Sequence, residues 1–227
     1  SRNSPSSRPK PRNFKVPANN SSQGGKLSAE SPIRTKSSSL VAEENSVNES
    51  KTDLDIMWGH HIAFGLPFLE NGAQIECNAK KMISEQAMPD SRRFKPGVET
   101  DWPSAINLND QKENASIIPA ESEFPYSELS YLSGFGEKGN YSIIDSDRNL
   151  GFHLSWDANI FKYLWYWQER YSTQDAPWWG NTYAIALEPW TSRWTPDPKQ
   201  AINNGEWLSI PKDGTISTKL SASAIIP

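Results

Sequence analysis

Polar and apolar residues alternate most cleanly near the end of the chain. Ile216, Thr218, Leu220, Ala222 and Ala224 interleave there with Thr215, Ser217, Lys219, Ser221 and Ser223. A period of two puts one set on each face of an extended segment, so this run predicts a half-buried β-strand. The turn residues Lys212-Asp213-Gly214 precede it, and Trp207-Leu208-Ser209-Ile210 offers the other arm of a hairpin. Further strands are predicted at Ser39 to Val47, Asp55 to His61, Ala73 to Asn78, Asn140 to Asp145, Gly151 to Trp156 and Thr182 to Glu188. Short strands punctuated by Gly, Pro and Asp point to an all-β fold, a large antiparallel β-sandwich.

Two stretches resist that period. Residues from Ile83 to Tyr131 carry several prolines and few periodic positions, which predicts a long loop of the kind that often bears function. Ala158 to Arg170 has bulk on every side through Trp165, Tyr166 and Trp167, which predicts an irregular aromatic segment bordering a cleft.

Composition divides the chain in two. Residues 1–37 are rich in Ser, Pro, Asn, Lys and Arg, with Phe14 the only aromatic residue, and the first 36 set eight basic residues against Glu30 alone. Such a segment cannot bury enough surface to offset chain entropy and is expected to be disordered or poorly packed. All ten tryptophans lie between Trp58 and Trp207, so the folded domain is expected over 38–227. The net charge of −4 leaves that domain acidic, and it carries no nucleic-acid motif, which argues against a nucleic-acid partner. A single cysteine, Cys77, excludes an intrachain disulfide and a Cys-based zinc cluster, and is expected to pack as a small apolar residue. No apolar run is long enough to span a bilayer and no leader-like apolar stretch opens the chain, so a soluble cytoplasmic protein without a membrane partner is expected. The chain begins at Ser1 rather than Met, which leaves room for upstream sequence.

Candidate chemistry gathers at two places. Met57-Trp58-Gly59-His60-His61-Ile62-Ala63-Phe64-Gly65 holds two of the three histidines side by side. Strand neighbours face opposite ways, so at most one of them points into a common site. The same adjacency argues against zinc, whose histidine pairs need spacing that brings both nitrogens to one side. Far downstream, Glu188 sits in an apolar run from Ala184 to Leu187. Burial there would raise its pKa toward the range of a base working near neutrality. His61 and Glu188 are therefore a candidate proton-transfer pair.

Five tryptophans fall between Trp156 and Trp179. Sugars present flat patches of C–H groups that stack on indoles, while their hydroxyls need donors and acceptors such as Gln168, Glu169, Arg170 and Asn181. The bland alternative is that each ring packs in the core or at its rim. His153 reads either as a sugar donor or as a buried structural histidine. Arg148, Arg170 and Arg193 would serve a phosphate or balance the acids.

Several of these segments resemble galactose mutarotase-like proteins, the aldose 1-epimerase superfamily. Met57 to Leu69, with His61-Ile62-Ala63-Phe64-Gly65, is similar to the family's His-x-Tyr-Phe-Asn segment. Arg93 to Pro103 is similar to its loop of proline, glycine and threonine before an aspartate. Leu187-Glu188-Pro189-Trp190 through Pro196-Asp197 resembles Leu-Glu-x-Gln…Pro-Asp, and Gly205-Glu206-Trp207 with the final strands resembles the Pro-Gly-Glu-x-Tyr ending. The likeness covers about residues 38–225. It implies a sandwich whose concave face binds a monosaccharide and interconverts its α and β anomers without metal or other cofactor. Carried over by position, Glu188 is the general base and His61 the general acid. Trp58, His60, Asp101, His153, Trp165, Gln168 and Trp190 are then expected to contact the monosaccharide or glycan.

Departures from the family pattern leave alternatives open. No histidine precedes His60, Trp190 replaces a glutamine, and Ala63 replaces a tyrosine. Either the family's N-terminal strands lie on sequence outside this chain, or His60 substitutes for the upstream histidine, or the protein holds sugar without turning it over. A carbohydrate-binding module is therefore the second reading. A glycoside hydrolase pairing Glu188 with Asp157, Asp145 or Glu169 is the third.

Overall fold

The structure, a computed structural model, describes residues 39–87, 92–121, 125–145, 147 and 150–226. The basic segment 1–37 and Arg148 lie outside the described residues.

In chain order the strands begin with β1 (Ser39–Val47), β2 (Leu54–Ile56), β3 (Ala63–Phe64), β4 (Ala73–Cys77) and β5 (Lys81–Ser84). Next come β6 (Glu99–Asp101), β7 (Ser104–Ile106), β8 (Lys112–Asn114), β9 (Ile117–Ile118) and β10 (Tyr126–Ser133). The chain continues through β11 (Lys138–Asp145), β12 (Gly151–Asp157), β13 (Tyr163–Arg170), β14 (Tyr183–Trp190), a short helix α1 (Pro198–Asn203), β15 (Leu208–Ile210) and β16 (Thr215–Ile225). Two antiparallel six-stranded sheets result. One runs β1-β16-β12-β11-β4-β9 and the other β3-β14-β13-β10-β5-β6.

The alternation at the C-terminus does what a period of two requires. Leu220 and Thr218 of β16 are buried, while their neighbours Lys219 and Ser217 are exposed. Its partner differs from the expected one, however. β16 pairs with β1 from Ser39↔Ser223 to Val47↔Thr215 and with β12 on its other side, whereas β15 pairs with β2. The buried Asn48 explains the split. Its side-chain amide donates to the carbonyls of Ile210 and Pro211 at 2.8 and 3.1 Å, and its backbone N–H donates to Gly214. Pro211 has no N–H with which to continue a ladder.

The core lies between the sheets. Ile75, Tyr141, Ile143, Leu154 and Trp156 from the first sheet pack toward Met82, Leu164, Tyr166, Ile185 and Leu187 from the second. The expected irregular segment at Ala158 to Arg170 is instead mostly β13, a central strand between β10 and β14. Leu164 and Tyr166 face the core, and the half-exposed opposite face carries Tyr163, Trp165 and Trp167 in place of polar residues, which erases the polar-apolar alternation that marks a half-exposed strand. Likewise, the stretch from Ile83 to Tyr131 is not one loop. It contains β6 to β9 and most of β10, whose Ser127, Glu128 and Ser130 are polar yet buried.

Candidate active site

Glu188 stands near the end of β14. Leu187 beside it faces the core, where the Tyr141 hydroxyl donates to its carbonyl at 3.2 Å, so strand alternation turns Glu188 to the outer face of the second sheet. The segment around the two histidines runs along the same strand. Leu187 N–H donates to the Ile62 carbonyl at 3.0 Å, His60 N–H to that of Pro189 at 3.0 Å, and Thr191 N–H to that of Trp58 at 2.9 Å. This ladder brings together two side chains that are far apart in sequence. His61 Nδ1 lies 2.6 Å from Glu188 Oε1.

The two groups differ sharply in exposure: the imidazole is 76% exposed and the carboxylate 3%. Glu188 Oε2 accepts a hydrogen bond from Trp190 Nε1 at 2.9 Å. Oε1 is close enough to His61 for an ion pair but is not aligned as a hydrogen bond, and among the described residues it takes none from elsewhere. Burial raises the Glu188 pKa above the ordinary carboxylate value, opposed by the Trp190 hydrogen bond and the His61 charge.

An aromatic strip extends from this pair across the sheet. Trp190 stacks on Trp165 with centroids 4.7 Å apart, and Trp165 meets Tyr131 edge-on at 5.5 Å. Trp165 Nε1 is held by the Ser192 carbonyl at 2.9 Å. Gly59 makes room for the Trp190 ring, because a Cβ at that position would lie 2.1 Å from it. On the other side of His61 lies a groove of about 370 Å³, lined by Leu40, Phe152, Leu154, Ala222 and the two histidines.

The profile of a domain of unknown function, DUF4432, matches residues 19–224. The chain belongs to the DUF4432 family. No curated protein matches its sequence. Among solved structures, a proposed aldose 1-epimerase from Klebsiella pneumoniae superposes with a TM-score of 0.55 at 11% identity, over 83% of this chain and 43% of its own. The Slr1438 protein of Synechocystis gives 0.52 at 16% identity, over 83% and 51%. A galactose mutarotase related enzyme from Lactobacillus acidophilus gives 0.51 at 14% identity, over 82% and 57%. This DUF4432 chain thus has the galactose mutarotase-like β-sandwich fold and spans about half the length of the structures it resembles.

The other expected contacts of the DUF4432 chain scatter. Trp165 and Trp190 join the Glu188 face, whereas Trp58 and His60 turn inward against Phe161, at 5.1 and 4.9 Å. His60 Nε2 lies 3.3 Å from Glu44, and burial lowers its pKa against the pull of that carboxylate. Gln168 faces the interior, fully buried, and accepts from the Tyr126 hydroxyl at 2.7 Å. His153 belongs to the other sheet. It bonds Ser142 at 3.0 Å on the face opposite its core-facing neighbour Leu154. Asp101 sits on the edge strand β6, paired with Lys81 at 2.7 Å. Four strand spacings, roughly 19 Å, separate it from β14.

None of the three acids considered as hydrolytic partners faces Glu188. Glu169 is the nearest in sheet position, but it lies four residues along β13 from Trp165, the residue opposite Glu188, or roughly 13 Å. Its carboxylate is consumed by Ser172 N, Thr173 N and Thr173 Oγ1. Asp157 and Asp145 end strands of the other sheet. Among the described residues no group of three or more His, Cys, Asp or Glu side chains assembles as a metal site. Nor is any described helix long and apolar enough to cross a membrane.

Sequence reasoning passed over Tyr131, which ends the aromatic strip from a strand hidden in the expected loop. It also passed over Thr191 and Ser192, which fix the Trp58 and Trp165 sides of the site. Their position directly after the Glu188-Pro189-Trp190 run was the available signal.

Proposed function

We propose that this protein interconverts the α and β anomers of an aldose by acid-base ring opening, with Glu188 and His61 as the proton-transfer pair. The observation that carries this reading is the 2.6 Å approach of an exposed imidazole to a buried carboxylate beside an aromatic strip. Glu188 removes the proton from the anomeric hydroxyl through Oε1, while the Trp190 hydrogen bond holds Oε2 and so aims the carboxylate. His61 protonates the ring oxygen, the hemiacetal opens, and rotation about C1–C2 exposes the other face of the carbonyl. Reclosure reverses the two transfers.

The imidazole rests directly on the carboxylate, so a pyranose must take its place. Because His61 is mostly exposed, rotating its side chain breaks little packing and leaves the ring at the edge of the opened space. Trp190, fixed by its stack on Trp165 and its hydrogen bond to Glu188, forms the wall against which the sugar is oriented for such a transfer.

The second reading, a module that holds sugar without turning it over, is favoured by the direct closure of the gap between the two groups. Polarimetry or NMR exchange of freshly dissolved α-glucose and α-galactose separates the two. In an epimerase, Glu188→Gln lowers kcat by roughly 10²–10⁴-fold. If the wild-type protein leaves mutarotation at its spontaneous rate while still binding the sugar, the catalytic reading falls.

A further inference from the structure

The loop between β13 and β14 carries an indole that the Glu188 site does not use. Trp179 is 63% exposed, and its backbone stands in the left-handed region with a φ of 52°. A bulky residue adopts that conformation only where its surroundings impose it. Here they do. The N–H groups of Trp178 and Trp179 both donate to the Asp175 carbonyl, at 2.9 and 3.1 Å, and Gly180 N–H donates to that of Thr173 at 2.8 Å. The base of the loop is pinned by Glu169, whose buried carboxylate accepts from Ser172 N, Thr173 N and the Thr173 hydroxyl. Trp178 in turn leans on Trp167, with ring centroids 5.3 Å apart. An exposed aromatic ring is thus carried on a loop with a fixed backbone.

Register places this loop relative to Glu188. Trp165 is opposite Glu188 and Trp167 is opposite Ala186, so Trp167 shares the outer face with Glu188 and lies on the side of it away from Trp190. In that direction the outward residues of β14 are Ala186 and Ala184, and the loop begins just past Tyr183. Glu188 and Ala184 are four residues apart, roughly 13 Å. A monosaccharide bound at Glu188 does not span that distance, whereas a short oligosaccharide does. The surroundings of Trp179 indicate the chemistry. From Ser172 to Thr182 the only charged residue is Asp175, and apart from the tryptophans only Ala176 and Pro177 are apolar and larger than glycine. A protein partner calls for a broader contiguous apolar patch, and an ionic ligand for more charge. A neutral sugar needs one flat ring bordered by amides and hydroxyls. Gln174 and Asn181 supply exposed amides, and Gln174 donates through Nε2 to the carbonyls of Tyr171 and Ser172, both at 3.2 Å, which leaves its Oε1 to accept.

We propose that the β13–β14 loop is a second carbohydrate subsite, in which Trp179 stacks on a neutral sugar ring, and that the Glu188 site acts on the reducing end of a short neutral oligosaccharide. The second half of this statement rests on the reading of Glu188 as the base at the anomeric hydroxyl. No covalent step is added, since the remote ring is held and not altered. Because the loop is already ordered by its own hydrogen bonds, little backbone freedom is lost when the sugar binds.

The test compares glucose with maltotriose, cellotriose and laminaritriose, using the full chain and its Trp179→Ala and Trp179→Phe variants. Anomer exchange by NMR should give at least one trisaccharide a kcat/KM roughly three- to tenfold above that of glucose, mostly through KM. Trp179→Ala should bring that ratio close to one, and Trp179→Phe, which keeps a flat face, should retain part of it. Glucose turned over as well as every trisaccharide, or a ratio that survives Trp179→Ala, overturns the subsite and leaves Glu188 as the base. If no sugar is turned over, binding by NMR titration decides. A trisaccharide bound more tightly than glucose, with the difference lost in Trp179→Ala, keeps the subsite while the catalytic reading of Glu188 falls. Equal or absent binding of all four sugars overturns the subsite as well.

Discussion

Glu188 and Glu128 project from opposite faces of the same sheet, and both are almost wholly buried. Burial raises the pKa of each, that of Glu128 to about 7. Their surroundings differ. Glu128 lies between the sheets, where Oε2 accepts from the backbone N–H groups of Arg93 and Phe94 at 3.1 and 2.9 Å and Oε1 from Ser130 at 3.2 Å. Glu188 has one oxygen held by Trp190 and the other covered only by an exposed imidazole. A raised pKa therefore does not by itself mark a reactive group. What separates the two is an oxygen that a ligand can reach by moving one side chain.

The sharpest way to break this comparison is to neutralise each acid. Glu188→Gln should remove most turnover, by roughly 10²–10⁴-fold, and leave the unfolding midpoint almost unchanged. Glu128→Ala should do the reverse. It strands the buried amide of Phe94 and the part-buried amide of Arg93, and should cost roughly 2–5 kcal/mol in a urea titration. Comparable stability losses in both variants would mean that Glu188 is a structural acid like its counterpart.

A pH series sharpens the contrast further. The fold raises the Glu128 pKa above the unfolded value, so it binds a proton more tightly than the unfolded chain does. That contribution is fully present below about pH 4.5 and is lost as pH rises through about 7. Stability should fall across this window by roughly 3 kcal/mol at most on its account. Glu128→Gln should flatten the slope, as read by thermal unfolding at a series of pH values. Glu188 contributes in the same direction, so some slope remains. In activity, its raised pKa should place the rise of kcat/KM at a higher pH than an ordinary carboxylate would.

The smallest expected effect is at Gly59. Gly59→Ala drives a methyl group into the Trp190 ring and should cost roughly 1–3 kcal/mol, while loosening the hydrogen bond that aims Glu188. A rise in KM together with a fall in kcat is the kinetic signature to seek. An unchanged Trp190 fluorescence environment would show that the glycine is not what seats the ring.

Local pattern alone carried much of this protein. The alternation of β16 was legible because Thr218 and Leu220 are buried while Ser217 and Lys219 between them are exposed, and the residue types of the two chemical segments singled out His61 and Glu188. The opposite orientations of His60 and His61 also followed from strand geometry. Pattern could not reveal β10, which is buried on both faces, or β13, whose half-exposed outer face carries Tyr163, Trp165 and Trp167 where a half-exposed strand usually carries polar residues. It likewise grouped Gln168 with Trp165, although an odd separation of three residues on a strand sends them to opposite faces. Tertiary structure alone decided that Asn48 diverts β16 from β15 to β1, that His153 and Asp101 stand away from Glu188, and that the imidazole meets the carboxylate directly. Those outcomes depend on which strands pair and in what register, and pairing is settled by contacts between residues distant in sequence, which no local window contains.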